Sequence, residues 1–368
     1  DASVVDLQQW LSTHLQESLL KSLLIDGIIA GVGGVVIFLP QILILFLFIL
    51  LLEDSGYMTR AAFLMDRLMS AVGLNGRAFI PLLSSFACAI PGIMATRTIA
   101  HPLDRLVTIL IAPLMTCSAR LPVYVLLIAA FVPATTVWGG IGLQGLVMFG
   151  LYATGIVGAL VVAGVLRLTV LRGDRQPLLM ELPSYKWPNA TNVLLGLWDR
   201  ARIFMRRIGT IILSLMVVLW FLSTFPAPPA GATEPAIYYS FAGMIGRTLE
   251  PLLEPIGFNW QIAIALVPGL AAREVAVAAL GTVYALSGDE GAVSDALTTT
   301  LAHSWTLATA LSLLAWYVFA PQCLATLAAV RRETNSWRWA AFMFTYLMIL
   351  AYVAAFITYR VALALGGG

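Results

Sequence analysis

Three cysteines stand beside helix-breaking residues in otherwise apolar sequence. Cys88 precedes Pro91 and Gly92, Cys117 lies between Pro113 and Pro122, and Cys323 follows Pro321. A thiolate is a soft ligand suited to iron, copper or zinc, and a bound metal deprotonates a thiol that apolar surroundings keep neutral. The plainer reading makes each a small apolar packing residue. The adjacent break favours a ligand role for Cys88 and Cys117, and for Cys323 the two readings balance. Met94 and Met115 could add thioethers next to them, although a membrane methionine more often fills gaps. Glu274, beside Arg273 in an apolar segment, is the best carboxylate candidate. Charges in such segments mark a pathway or gate by default. Neighbours on a helix point in different directions, which argues against a mutual Arg273–Glu274 pair; a structural pairing of Glu274 with Arg120 is the rival to a ligand role. Glu53 and Asp54 read as an end-of-helix cap or a surface attractant for cations. His14, His101 and His303 are mutually isolated and are not expected to be ligands.

The element that must position Cys88 is the stretch Asn75 to Arg97, NGRAFIPLLSSFACAIPGIMATR. Its middle is apolar enough for a bilayer, yet Pro81, Pro91 and Gly92 interrupt it. Broken helices at membrane depth persist only where protein or a water-filled cavity satisfies the freed backbone groups. An offset of 184 positions lays Val72 to Ala87 on Ile256 to Ala271, matching Gly73, Asn75, Ile80 and Ala87 to Gly257, Asn259, Ile264 and Ala271. Pro268 and Gly269 break the second copy. Paired interrupted segments in two halves are the strongest sequence pointer to a carrier site. Pro91, Gly92, Arg120, Pro268, Gly269 and Arg273 are therefore the expected gating residues.

The chain has 368 residues, 60% hydrophobic and 11% charged, with a net charge of +2, and its mean hydropathy is +0.91. That composition reads as a polytopic α-helical membrane protein. No basic tract with interleaved aromatics points to nucleic acid. There is neither GxxxxGK[ST] nor HExxH, so no Walker-type nucleotide site and no enzyme activity are expected of this chain. Residues 1–24 carry leucines at helical spacing among Gln, His and Glu. They read as an amphipathic juxtamembrane segment rather than a cleavable signal.

Span-length apolar runs are Ile28 to Leu52, Leu106 to Phe131, Leu143 to Leu166, Ile208 to Phe225, Trp305 to Val330 and Ala340 to Val361. The organisation read from them is a first repeat over 25–166, a basic linker with an amphipathic helix over 167–207, and a second repeat over 208–368. Arginine-rich Arg167 to Arg207 and Arg331 to Arg338 are expected in the cytoplasm. An odd number of crossings per repeat inverts the second copy and places Asp1 outside. Division of Ser22 to Leu52 at Pro40 into two passes, or a re-entrant turn, would return it to the cytoplasm.

Five stretches in order carry a resemblance: LLEDSGYMTRAAFLMDRLM (Leu51 to Met69), CAIPGIMATRT, MTCSARLPVY, PGLAAREVAVAALGTVY and FAPQCLATLAAVRRET. Over about Asp26 to Tyr359 the chain resembles the membrane region of the ferrous-iron transport protein B family. That resemblance implies two gate-type repeats, a fold idea shared with nucleoside permeases, and an N-terminal G domain with a cytoplasmic N-terminus. The G domain, a GTPase, is not found in this sequence. Where many relatives read GFGCNVPA, this chain has SSFACAIPG, so an asparagine ligand there is lost. The expected activity is Fe²⁺ uptake through a multi-pass permease of the bacterial inner membrane. Fe²⁺ would be substrate rather than a resident cofactor. Expected partners are the lipid bilayer, the G domain, small cytoplasmic accessory proteins and a homo-oligomer, with no nucleic acid. A nucleoside-like solute permease and a non-transporting membrane scaffold are the alternatives.

Overall fold

The computed structural model describes residues 19–138, 141–171, 185–229, 236–271, 275–284, 290–321 and 323–367. Most of these are helical, as a bilayer demands of backbone that water cannot satisfy. Four stretches among them are long and apolar enough to cross a membrane: Pro102–Phe131, Leu143–Thr169, Leu307–Thr334 and Trp337–Ala364. They overlap four of the six expected spans. A short antiparallel hairpin, β1 (Thr136–Trp138) and β2 (Ile141–Gly142), is the one departure from an all-helical reading among the described residues. Its Thr and Val are β-branched residues that fit a strand better than a helix.

The chain contacts separate two compact units, one drawn from Asp1–Ala61, Leu179–Ala232 and Tyr239–Ala242, the other from Ala62–Leu178, Thr233–Tyr238 and Gly243–Gly368. In the first, a π-helical segment Leu23–Ile29 leads into α1 (Ala30–Asp54). This helix runs unbroken through Pro40, which corrects the expected division into two passes. Membrane helices tolerate an internal proline because neighbours and local π adjustments re-satisfy the freed carbonyl. The next helix, α2 (Tyr57–Ala71), lies mostly in the larger unit, and within the first α8 (Ala190–Ile203) packs against α1. Asp54 accepts from the Asn189 amide at 2.6 Å and Glu53 pairs with Arg200 at 3.5 Å. These two acids anchor the linker helix. A second π-helical segment, Phe204–Gly209, opens α9 (Thr210–Thr224), just as the first opens α1.

The larger unit holds α3 (Phe79–Ser85), α4 (Ala89–Ala95), α5 (Pro102–Ile111), α6 (Leu121–Phe131) and α7 (Leu143–Thr169). Most of α10 (Phe241–Leu253) belongs to it too. So do α11 (Trp260–Ala271), α12 (Val275–Val283), α13 (Glu290–Ser304), α14 (Leu307–Phe319), α15 (Leu324–Thr334) and α16 (Trp337–Ala364). The repeat read from sequence is present in backbone geometry. Gly73 and Gly257 both take left-handed φ, 81° and 82°. Two residues on, Asn75 and Asn259 each cap the next helix, accepting at 3.0 Å from Arg77 and Ile262. The helical hairpins that follow, α3–α4 and α11–α12, pack at one matched pair of positions. A Cβ on Gly92 would collide with Ser85 Oγ, and a Cβ on Gly269 would meet Ala276 Cβ at 3.1 Å. Ser85 and Gly269 correspond at the offset of 184, as do Gly92 and Ala276.

The two copies run in opposite directions. Arg167, near the end of α7, forms an ion pair with Asp104, in the first turn of α5. Glu333, near the end of α15, binds Arg105 at 2.9 Å and Arg97 at 2.5 Å. The beginning of the first broken span thus lies with the end of the second, so α5–α6 and α14–α15 cross antiparallel. With no hydrophobic drive between helices in lipid, close packing relies on small residues. Gly155, Ala159 and Ala163 of α7, and Ala351 and Ala355 of α16, form its buried face. Phe149, Val157, Val161 and Ile357 look outward.

Candidate functional site

All three cysteines occupy one structural position: the N-cap of a helix that restarts after a break. Cys88 precedes α4, Cys117 precedes the 3₁₀ turn Ser118–Arg120 leading into α6, and Cys323 precedes α15. Each has extended backbone, with φ,ψ of −154°,132°, −81°,162° and −157°,114° respectively. An N-cap oxygen would normally accept from the first-turn amides. None of these sulfurs makes a capping bond to its own helix. None of the three is in a disulfide, and all are of intermediate exposure.

Tertiary contacts bring the three breaks together. Ser118, next to Cys117, donates its hydroxyl to the carbonyl of Ala87, next to Cys88, at 3.1 Å. Phe86 stacks on Tyr152 of α7 at 6.4 Å between ring centroids, and Tyr152 is within electrostatic reach of Cys117, Tyr124 and Arg120. The third break joins through helix packing. Helices α4 and α15 lie side by side, with Arg97 beyond the end of α4 bound to Glu333 at the end of α15. The two helices therefore run in the same direction. Cys88 lies nine residues before Arg97 and Cys323 ten before Glu333. At about 1.5 Å of rise per residue, both thiols stand at nearly the same depth. Cys323, the weakest of the three cysteines by sequence, is the one that the second repeat places level with Cys88.

Arg120 is fully buried, and its guanidinium donates to the carbonyls of Val318 at 2.8 Å and Pro113 at 2.9 Å. These carbonyls precede the two breaks that carry Cys323 and Cys117. A broken span leaves closing-turn carbonyls without intrahelical donors, and in this fold side chains supply them. Tyr346 does the same for Leu110, at 2.5 Å.

The other expected residues divide clearly. Pro91 lies in the first turn of α4, where a missing amide proton costs nothing. Gly92 is required for the contact with Ser85. Pro268 and Gly269 do not break the second copy as expected: α11 runs through both to Ala271, and a Cβ on Gly269 would also approach the Tyr317 hydroxyl at 3.2 Å. Met94 is half-buried in α4. Met115 is 4% exposed within an apolar cluster with Leu110, Leu114 and Ile93, the packing role common to membrane methionines. Arg273 and Glu274 lie outside the described residues, as do residues 1–18 of the amphipathic segment. Among the described residues no group of three or more His, Cys, Asp or Glu is arranged to hold a metal ion. That holds for the three cysteines too, so in this conformation they do not surround one ion, and any site built on one or two of these thiols would need backbone carbonyls as further ligands. Sequence reading missed Ser118, Tyr152 and Tyr317. Ser118 alone had a signal, its place beside a cysteine.

Comparison with known proteins agrees with this architecture. A family model described as "Nucleoside recognition", the Gate family, matches residues 35–131 and 205–337. A second, described as "Ferrous iron transport protein B C terminus", matches residues 148–200. The chain is 42% identical over 376 residues to a Leptospira interrogans protein named "Fe(2+) transporter FeoB", covering 98% of this chain and 54% of that protein. A Staphylococcus aureus protein of the same name is 43% identical over 343 residues, covering 93% and 49%. A Porphyromonas gingivalis protein, "Fe(2+) transport protein A/Fe(2+) transporter FeoB fusion protein", is 37% identical, covering 99% and 47%. The chain spans about half the length of the curated relatives it matches. No solved structure matches it.

Proposed function

This chain belongs to the Gate family, and within it to the ferrous-iron transport protein B proteins, and on that premise we propose that it is a permease core carrying Fe²⁺ into the bacterial cytoplasm. One observation carries the reading: three broken helices, each restarting at a cysteine, are brought together in one unit from two inverted repeats. Fe²⁺ sits low in the divalent affinity order, and a conducting site must release what it binds. A few thiols with backbone carbonyls suit both demands. Cys88, Cys117 and Cys323 are the ligands in this reading, with Glu274 approaching from the second repeat. Pro91, Gly92, Arg120, Pro268, Gly269 and Arg273 shape the gate.

In the same reading residues 25–166 and 208–368 are the two gate repeats. The two matched segments of the family model support it, since they close near the ends of α6 and α15. The chain acts as a permease, not an enzyme, and in the inner membrane. A G domain and small accessory proteins are its partners; the fusion of the Porphyromonas relative supports the latter. The description "Nucleoside recognition" favours a second reading, a nucleoside-type permease. Such a carrier needs an amide- and carboxylate-rich centre, whereas thiols, a serine and an arginine are what the described breaks carry.

Uptake into proteoliposomes decides between them. The purified chain should accumulate Fe²⁺ faster than Zn²⁺ or Mn²⁺, and should leave a nucleoside outside. Nucleoside uptake without Fe²⁺ uptake would overturn the reading, and transport of neither would favour a scaffold.

A further inference from the structure

Arg120 has a fully buried side chain, and its guanidinium is aimed at two main-chain carbonyls. Pro113 belongs to the 3₁₀ turn Ala112–Leu114 that closes α5, and Val318 to the last turn of α14. Closing-turn carbonyls lack intrahelical donors and carry the negative end of the helix dipole. Because the repeats are inverted, α5 and α14 enter the unit from opposite ends, and their negative ends meet at one buried cation. In membrane carriers, half-helix C-termini and unwound carbonyls are where small cations coordinate. Both oxygens lie within 3 Å of a single guanidinium, at 2.8 and 2.9 Å.

We propose that the carbonyls of Pro113 and Val318 form a divalent-cation site independent of the thiols, which Arg120 occupies in this conformation as a tethered cation. The inference rests on the cation-permease reading. Two positive charges cannot share one carbonyl pair at low dielectric, so an ion enters only as the guanidinium withdraws. Arg120 is thus a positioning and gating residue rather than a ligand. Its withdrawal also unties the break at Cys117 from the break at Cys323, which couples ion entry to movement of one repeat against the other.

The test is equilibrium binding of Mn²⁺, a redox-stable probe, to the purified chain in detergent, with free Mn²⁺ read by electron paramagnetic resonance. Cys88→Ser, Cys117→Ser and Cys323→Ser are combined as the background, so thiols contribute nothing. Arg120→Gln should gain one site per chain at least tenfold tighter than the background protein. Arg120→Lys reaches one carbonyl at a time and should gain about threefold. The exposed Arg338→Gln, which removes a charge elsewhere, should gain nothing. Folded Arg120 variants with unchanged binding, or an equal gain in Arg338→Gln, would overturn the proposal. If Arg120→Gln does not fold, Arg120→Lys decides alone. Fe²⁺ uptake by the unsubstituted chain tests the transport reading separately, so either can fail without the other.

Discussion

The hydroxyl of Ser118 donates to the carbonyl of Ala87 across 31 positions of sequence, at 3.1 Å. This bond ties the residue after Cys117 to the residue before Cys88, and so joins two helix breaks that the chain itself keeps apart. Ser118→Ala leaves the carbonyl partly buried without this donor, which costs about 1–3 kcal/mol. The variant should melt at lower temperature and take up Fe²⁺ more slowly, and Ser118→Thr should restore both. An unchanged melt and uptake in Ser118→Ala would show the two breaks to be held by other contacts.

Serine keeps the size and polarity of cysteine but lacks a soft thiolate. Cys88→Ser, Cys117→Ser and Cys323→Ser should each lower Fe²⁺ uptake roughly tenfold or more, the loss expected when a soft ligand is removed, with unaltered melting. Glu274→Gln should impair uptake less, since carbonyls share the coordination. Normal uptake in all three cysteine variants would make these residues packing groups.

Gly92→Ala would drive a methyl group into Ser85 Oγ and to 2.7 Å from the Pro81 carbonyl. Overpacking of this kind costs about 1–3 kcal/mol. The second hairpin reverses the pair, with Gly269 opposite Ala276, and the motif GFGCNVPA of the resembled family carries the same order. Ser85→Gly combined with Gly92→Ala should therefore recover part of the lost stability, the Pro81 contact remaining. A double-mutant cycle with no coupling would show that the two hairpins do not pack alike.

Ion pairs of Arg167 with Asp104 and of Glu333 with Arg105 place the ends of α7 and α15 together. Single cysteines introduced at Val170 and Asn335 should thus be labelled from the same side of the membrane by an impermeant reagent. The positive-inside tendency makes that side the cytoplasm. Labelling from opposite sides would refute the inverted arrangement.

The side chain of Glu333 is 3% exposed and accepts from two arginines, whose side chains are 56% exposed for Arg97 and 32% for Arg105. Water screens the pair with Arg97 most, so Glu333→Gln should cost only about 1 kcal/mol in a melt. Its larger effect should fall on uptake, because the cluster joins the two repeats at one end. Equal uptake by Glu333→Gln and the unsubstituted chain would restrict the cluster to a structural role.

Local chemistry made much of this protein legible without coordinates. Runs of apolar residues long enough for a bilayer, prolines that remove donors, and Gly73 and Gly257 two positions before capping asparagines act within a few residues of themselves. Their consequences do not depend on what lies across the fold. The 184-residue echo could be read for the same reason, because each copy builds its hairpin from local rules. Direction and partnership were different. That α5–α6 and α14–α15 cross antiparallel became visible only through Glu333 with Arg97 and Arg105, pairs far apart in sequence. Arg120 as sequence offered a charge near a break. Which carbonyls it satisfies depended on α14 arriving from the other end and presenting the Val318 carbonyl at its last turn. Cys323 likewise drew its weight from α15 lying parallel to α4. Apolar residues in lipid choose neighbours by shape alone, and shape complementarity between distant helices is not written in any single stretch of chain.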